Sequence, residues 1–297
     1  MTTIPLGRGR RIAPYAHGIW PLVVPALVVT AALIVIPIAY SIALSFSGLG
    51  GIGSGFTMAN YERMFADPVF WQSVQITFFL FAVCMIIQMI LGVGLGYLLS
   101  VDVPGRRILQ GAILIPAITA SVAVGLLWLL FYDPTLGTAN QLLRAVGLEN
   151  IVWLGDPAIA PWALIIVDTW QWTPFVALIV SAGIRSLPAD VFEAAGIDGA
   201  GGWKMAWHIG LPLLAPVLTV AMLLRTVDLV RFFDLAYIMT QGGPVNATNT
   251  LNLYGYRAAF INQDSGYAAT LQITLFVFVI IAAAVFTFIR KRFTIEY

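Results

Sequence analysis

The chain reads as an all-α integral membrane protein with six transmembrane helices, and three observations predict this. Of its 297 residues, 60% are hydrophobic and only 10% are charged, with a mean hydropathy of +0.91. A soluble chain carries roughly 25% charged residues, so too few polar side chains are present to cover a water-facing surface. Six apolar stretches each reach the about 20 residues that a helix needs to cross a hydrocarbon core. They far exceed the roughly 9 to 11 residues of a barrel strand and show little two-residue alternation, which leaves helices to satisfy the backbone in lipid.

The spans are expected at approximately 19–46, 71–100, 108–132, 160–184, 209–240 and 267–290. The first follows Arg8, Arg10 and Arg11, as the core of a signal peptide would. Its apolar run from Ile19 to Phe46 is too long for that, and no small-residue cleavage site follows promptly, so it reads as an uncleaved span. A loop of Gly, Ser and polar residues, Ser47 to Tyr61 and beyond, comes next. Span two carries Gly92, Gly94 and Gly96, small residues that let neighbouring backbones approach. Span four contains Trp170-Gln171-Trp172-Thr173-Pro174-Phe175, where Pro174 loosens the helical ladder. No repeat or linker divides the chain, so 19–290 is expected as one unit between tails 1–18 and 291–297.

Charge placement orients the bundle. Arg8, Arg10, Arg11, Arg106, Arg107, Arg185, Lys204, Arg290, Lys291 and Arg292 fall in the N-tail, the loops after spans two and four, and the C-tail. Only Arg63, Arg144 and Arg257 lie in the opposite loops, so the positive-inside bias places both termini in the cytoplasm. Trp20, Trp71, Trp153, Trp162 and Tyr267 sit near span ends, where interfacial aromatics are expected.

Composition removes other classes. Lys+Arg and Asp+Glu number 15 and 14, which excludes the basic bias of a nucleic-acid binder. Cys84 is the single cysteine, so no internal disulfide or thiolate cluster can form. His17 and His208 lie far apart and outside any HExxH zinc pattern, and Lys204 and Lys291 lie outside any phosphate-binding GxxxxGK[ST] loop. No metal or cofactor is expected on this chain.

The loop after span four is more organised than a free cytoplasmic loop needs to be. Pro188 and Asp190 open a short helix, Gly199 offers a left-handed cap, and a second helix leads into the membrane through Pro212. Val191, Phe192, Ala194 and Ala195 give it an apolar, small face suited to close docking. Glu193-Ala194-Ala195, Asp198-Gly199-Ala200, Ile209, Leu211-Pro212 and Pro216 together resemble the EAA signature of permease subunits in binding-protein-dependent ABC importers. Ala206 departs from the aromatic usual at its position, with Trp207 beside it. A second set is similar to the carbohydrate-uptake branch, and to the larger maltose-transporter permease subunit in particular. It comprises Phe233-Asp234-Leu235, Thr240 to Pro244, Thr248, Tyr254-Gly255-Tyr256, Phe260 and Gly266 to Ala269.

The resemblance implies a type I importer permease fold with a cytoplasmic coupling helix in loop 187–208, within a bacterial or archaeal cytoplasmic membrane. It also implies a second homologous permease, two ATP-binding subunits that hold ATP and Mg, and an extracytoplasmic solute-binding protein. Glu193, Ala194, Ala195, Asp198, Gly199 and Ala200 would transmit ATPase motion. Gln171, Trp172, Phe175, Arg225, Leu229 and Phe232 align with sugar-contacting positions.

Ionisable groups inside spans are functional candidates because each costs several kcal/mol in lipid. Asp168 lies in span four, and Arg225, Asp228, Arg231 and Asp234 recur every third residue in span five, where each can pair with the next. Hydroxyls want Gln171, Arg225 and Asp228, and a sugar ring face wants Trp172 or Phe175. Leu229 and Phe232 replace polar residues of the maltose-type pattern, and an anionic sugar would give Arg225 a partner. The rival reading is an ion-coupled secondary transporter using the Asp/Arg row as a relay. An intramembrane enzyme lacks a nucleophile and base set.

Overall fold

The computed structural model describes residues 20–48, 55–101 and 105–293. The N-tail with His17 and its arginines, and the end of the C-tail, lie outside the described residues. Helix α1 (Trp20–Ser45) and the short α2 (Ala59–Ala66) precede α3 (Pro68–Ser100). The expected third span is two helices, α4 (Arg106–Ile118) and α5 (Ser121–Phe131), set at 92° to one another. After α6 (Thr138–Ala145) come α7 (Ala160–Ser186), with Pro174 inside it, and α8 (Ala189–Ile197). The segment α9 (Gly202–Met205), a π-helical turn (Ala206–Gly210) and α10 (Leu211–Leu213) then leads at 66° into α11 (Ala215–Val230) and α12 (Asp234–Met239). Helix α13 (Leu251–Tyr256) and a second π-helical turn (Arg257–Ile261) precede α14 (Ser265–Phe293).

Four helices, α1, α3, α7 and α14, are each long and apolar enough to span a membrane, and the two bent pairs raise the number to six if each is one span. Hydropathy therefore located all six apolar stretches but missed the break in the third and, in the fifth, both the 66° bend at Leu214 and the stop after Val230. The α4–α5 break and the stop after Val230 leave backbone carbonyls without ladder donors, a cost that lipid cannot relieve. Side chains relieve it instead. Gln171 Nε2 donates to Thr119 O at 3.1 Å, Thr250 Oγ1 donates to Phe232 O at 2.7 Å, and Asn252 Nδ2 donates to Arg231 O at 2.9 Å.

The closest packing joins α3 to α7. A Cβ added at Gly92 would sit 2.5 Å from Val176 Cγ1, and one at Gly96 would sit 2.6 Å from Val180 Cγ1, whereas Gly94 faces open space. Cys84, Gln88, Gly92 and Gly96 recur every fourth residue, so all four lie on the buried stripe of α3. At the far end of α3, Arg185 Nη2 donates to Leu99 O at 2.9 Å, placing a cation at the helix C-terminus.

A polar knot ties the start of α3 to the later elements. Asp67 caps α3 by accepting from Val69 N at 2.8 Å, and it also accepts from the Tyr254 and Tyr267 hydroxyls. Burial pushes this carboxyl up, but the two hydroxyls and the N–H outweigh it and hold Asp67 below the usual carboxylate range. Arg63 lies 4.2 Å over the Tyr267 ring and pairs with Asp264. Tyr267 is thus buried at the start of α14. Trp153 is also drawn inward, donating to Asn140 Oδ1, whereas Trp71 and Trp162 are exposed.

The glycine stripe gives a direct test. Gly96→Val should destabilise the protein by about 1–3 kcal/mol through overpacking, and Gly94→Ala should not. Melting temperatures of the two purified variants would separate them, and equal melting would contradict the α3–α7 register.

Candidate functional site

The buried stripe of α3 sets the first element of the site. One turn before Gly92, Gln88 meets Asp168 of α7 and Arg225 of α11 in a buried cluster. Arg225 Nη2 donates to Asp168 Oδ2 at 2.8 Å, and its Nε donates to Gln88 Oε1 at 2.9 Å. Gln88 Nε2 in turn donates to Asp168 Oδ2 at 2.6 Å. The guanidinium carbon also lies 4.8 Å from the Trp172 ring centre, and Nη1 approaches Asp228 Oδ2 at 3.6 Å. Arg225 is only 1% exposed.

This arrangement satisfies a charge that could not otherwise persist at that depth. Two buried ions repay their desolvation only when geometry is good and the remaining donors and acceptors are met. Here one amide serves both ions, and a ring face covers the cation. Gln88 was not among the sequence candidates. Its signal is faint but physical: a lone amide in Met85-Ile86-Ile87-Gln88-Met89-Ile90 must find a partner.

Beside the cluster lies a cavity of about 640 Å³, walled by the start of α5, α7, α11, the break after it, α12, α13, the second π-helical turn and α14. Trp172, Arg225, Asp228, Leu229 and Phe232 line it, as do Asp168, Arg231 and Asp234. Gln171 and Phe175 do not. Gln171 is fully buried and holds the α4–α5 break through Thr119 O and Ser121 Oγ, and Phe175 packs edge-on against Trp172 at 6.0 Å. The Asp/Arg row is also not the continuous spiral that helical spacing predicted. The helix stops at Val230, and among the described residues only Arg225–Asp228 of that row forms an ion pair within span five. Arg231 and Asp234 stand exposed on the cavity wall without one.

The loop after α7 forms a second candidate surface. Helix α8 carries Asp190 in its first turn and ends at Asp198. Gly199 adopts φ +76°, and Ala200 N donates to Ala195 O at 3.0 Å, closing the left-handed cap expected from the glycine. Ala195 is buried, whereas Glu193, Ala194, Asp198 and Gly199 are exposed, with Ala200 between. Ile197 is 87% exposed, and Trp203 and Trp207 stack at 5.8 Å on the exterior. Tyr97 secures the following π-helical turn by donating to Ala206 O at 3.0 Å.

Comparison with known proteins bears on both surfaces. Residues 88–295 match the family described as binding-protein-dependent transport system inner membrane component. The chain is 36% identical over 223 residues, 75% of either protein, to the trehalose/maltose transport system permease protein MalF of Thermococcus litoralis. It is 32% identical to the sulfoquinovosyl glycerol transport system permease protein SmoG of Agrobacterium fabrum, covering 89% of this chain and 87% of that one. Its fold matches that of a chain in a bacterial ABC transporter that imports the acidic polysaccharide alginate. The TM-score is 0.84 at 19% identity, covering 93% of this chain and 96% of the other.

The buried cluster makes a double-mutant prediction. Arg225→Met or Asp168→Leu alone should cost about 3–5 kcal/mol by stranding one charge, and the pair together should recover much of that loss. Thermal melts of the three variants would check it. Additive losses would contradict a mutually neutralising pair.

Proposed function

The chain belongs to the inner-membrane components of binding-protein-dependent transport systems, as a permease subunit of an ABC importer, and from that premise we propose that it conducts a neutral sugar inward. It is not itself an enzyme, since ATP hydrolysis in such importers takes place on separate subunits. The cavity carries the sugar reading: its volume falls in the range of small-molecule sites, and it joins aromatic rings to planar polar groups. MalF and SmoG, named for sugar and sugar-derivative transport, support the same class.

Charge balance refines the substrate. Arg225 already has Asp168, Gln88 and Trp172 around it, so it offers no open face to an anion. The lining holds Arg225 and Arg231 against Asp168, Asp228 and Asp234, a sum of −1. That sum favours hydroxyls over a sulfonate or carboxylate. An anionic substituent would have to reach Arg231.

In the assembled importer, a second homologous permease would close the cavity, and the loaded binding protein would dock where α3 and α7 begin. Both termini would then lie in the cytoplasm, in keeping with the positive-inside count. Loop 187–208 would seat on one of two ATP-binding subunits, which hold the ATP and Mg. The exposed Ile197 and Ala194 supply the apolar contact there, with Glu193 and Asp198 as carboxylates for basic groups.

Proteoliposomes containing the chain, its permease partner, the ATPase and the binding protein provide the test. Trehalose, maltose, lactose and sulfoquinovosyl glycerol form the panel, offered with ATP and without an ion gradient. ATP-driven uptake of a neutral sugar is expected. Uptake by this chain alone under an ion gradient would replace the proposal with secondary transport, and uptake of the sulfonated ligand alone would replace the neutral substrate.

Gly199→Asp should remove most uptake while leaving the complex isolable, because a side chain at φ +76° strains the cap by roughly 1–2 kcal/mol. Full uptake by this variant would contradict the coupling role.

A further inference from the structure

Phe233, Tyr256 and Phe260 stand out in the sequence but take no part in the buried charge cluster, and all three line the cavity. They arrive from three different segments: the break after α11, α13, and the π-helical turn that follows it. Phe260 lies 4.9 Å from Tyr256, and Tyr256 meets Phe233 edge-on at 5.2 Å. Phe233 is further backed by Tyr237, stacked at 5.4 Å. Phe260 is 71% exposed, whereas Arg225 on the same cavity is 1% exposed. The row therefore runs inward from an open rim.

Planar polar groups line the cavity with the rings. Gln272 Nε2 donates to Asn252 Oδ1 at 3.3 Å, and Asn252 itself bonds Arg231 O. These contacts fix both amides, engage both polar atoms of Asn252 and, among the described residues, leave Gln272 Oε1 as the amide atom without a hydrogen bond. A pyranose has an apolar C–H face and a rim of hydroxyls, and it is held by a ring on its face with planar donors and acceptors at its edge. The rim of this cavity offers both.

We propose that Phe260 and Tyr256, backed by Phe233, form a stacking subsite at the cavity mouth, which receives a sugar ring before it moves inward to Trp172. This inference rests on the sugar reading above and adds an earlier station to it. Phe260 follows Tyr256 by four residues across the π-helical turn, so the two rings share one face.

The complete transporter in proteoliposomes tests it, using whichever panel sugar the wild-type complex takes up. Two quantities are read: sugar moved per ATP hydrolysed, and stimulation of hydrolysis by the loaded binding protein. Phe260→Ala and Tyr256→Ala should lower the first roughly three- to tenfold, the loss of one aromatic contact, while stimulation persists. Phe260→Trp should restore transport and Phe260→Leu should not. Unchanged transport in Phe260→Ala, rescue by leucine, or parallel loss of transport and stimulation would each overturn the subsite. The last would mark Phe260 as a contact with another subunit. Failure of the wild-type complex to take up any panel sugar would instead overturn the sugar reading itself.

Discussion

The bundle depends on how closely α3 approaches α7. Two glycines remove the side chains that would hold these helices apart, and the resulting register brings Gln88 level with Asp168. Arg225 then completes a three-helix contact in which no charge faces lipid. Without the close approach the amide could not reach, and the ion pair would lack the second hydrogen bond that makes its burial tolerable. The same contact forms one wall of the cavity, so packing and ligand chemistry share a single set of residues.

The two broken spans follow a common logic. A helix interrupted within a membrane exposes carbonyls, and each break is closed by a polar side chain from a neighbouring element. Gln171 serves the first break, and Thr250 and Asn252 serve the second. The first break supplies Ser121 to the cavity, and the second, with the start of α12, supplies Phe232, Phe233 and Asp234. Polar residues that look like ligand contacts can thus be holding the backbone breaks around the cavity.

Much of this was legible in the sequence. Hydropathy located the spans, because apolar length is what lipid selects, and Gly199 announced its own cap because few other residues accept that backbone geometry. The charged residues around the cavity were found because an ion in a span is conspicuous. The breaks were not visible, since neither Thr119-Ala120 nor Arg231-Phe232-Phe233 contains a glycine or proline that would mark one. Gln171 was placed at the ligand because sequence alignment cannot tell an amide facing a cavity from one facing a backbone carbonyl. Gln88 and Tyr267 escaped because their partners lie far away in the chain, with Arg225 137 residues after Gln88 and Asp67 200 residues before Tyr267.

The buried pair also bears on how the chain is made. Asp168 precedes Arg225 by 57 residues, so the carboxylate and its counter-ion are carried by different spans made in sequence. A lone carboxylate at mid-helix costs roughly 2.5–3.5 kcal/mol on insertion. Gln88 comes earlier in the chain than either ion and can hold the Asp168 carboxylate until α11 emerges. Because the amide bonds both ions, burial of the pair depends on three helices and not on two, with the earliest of them in the chain serving both later ones.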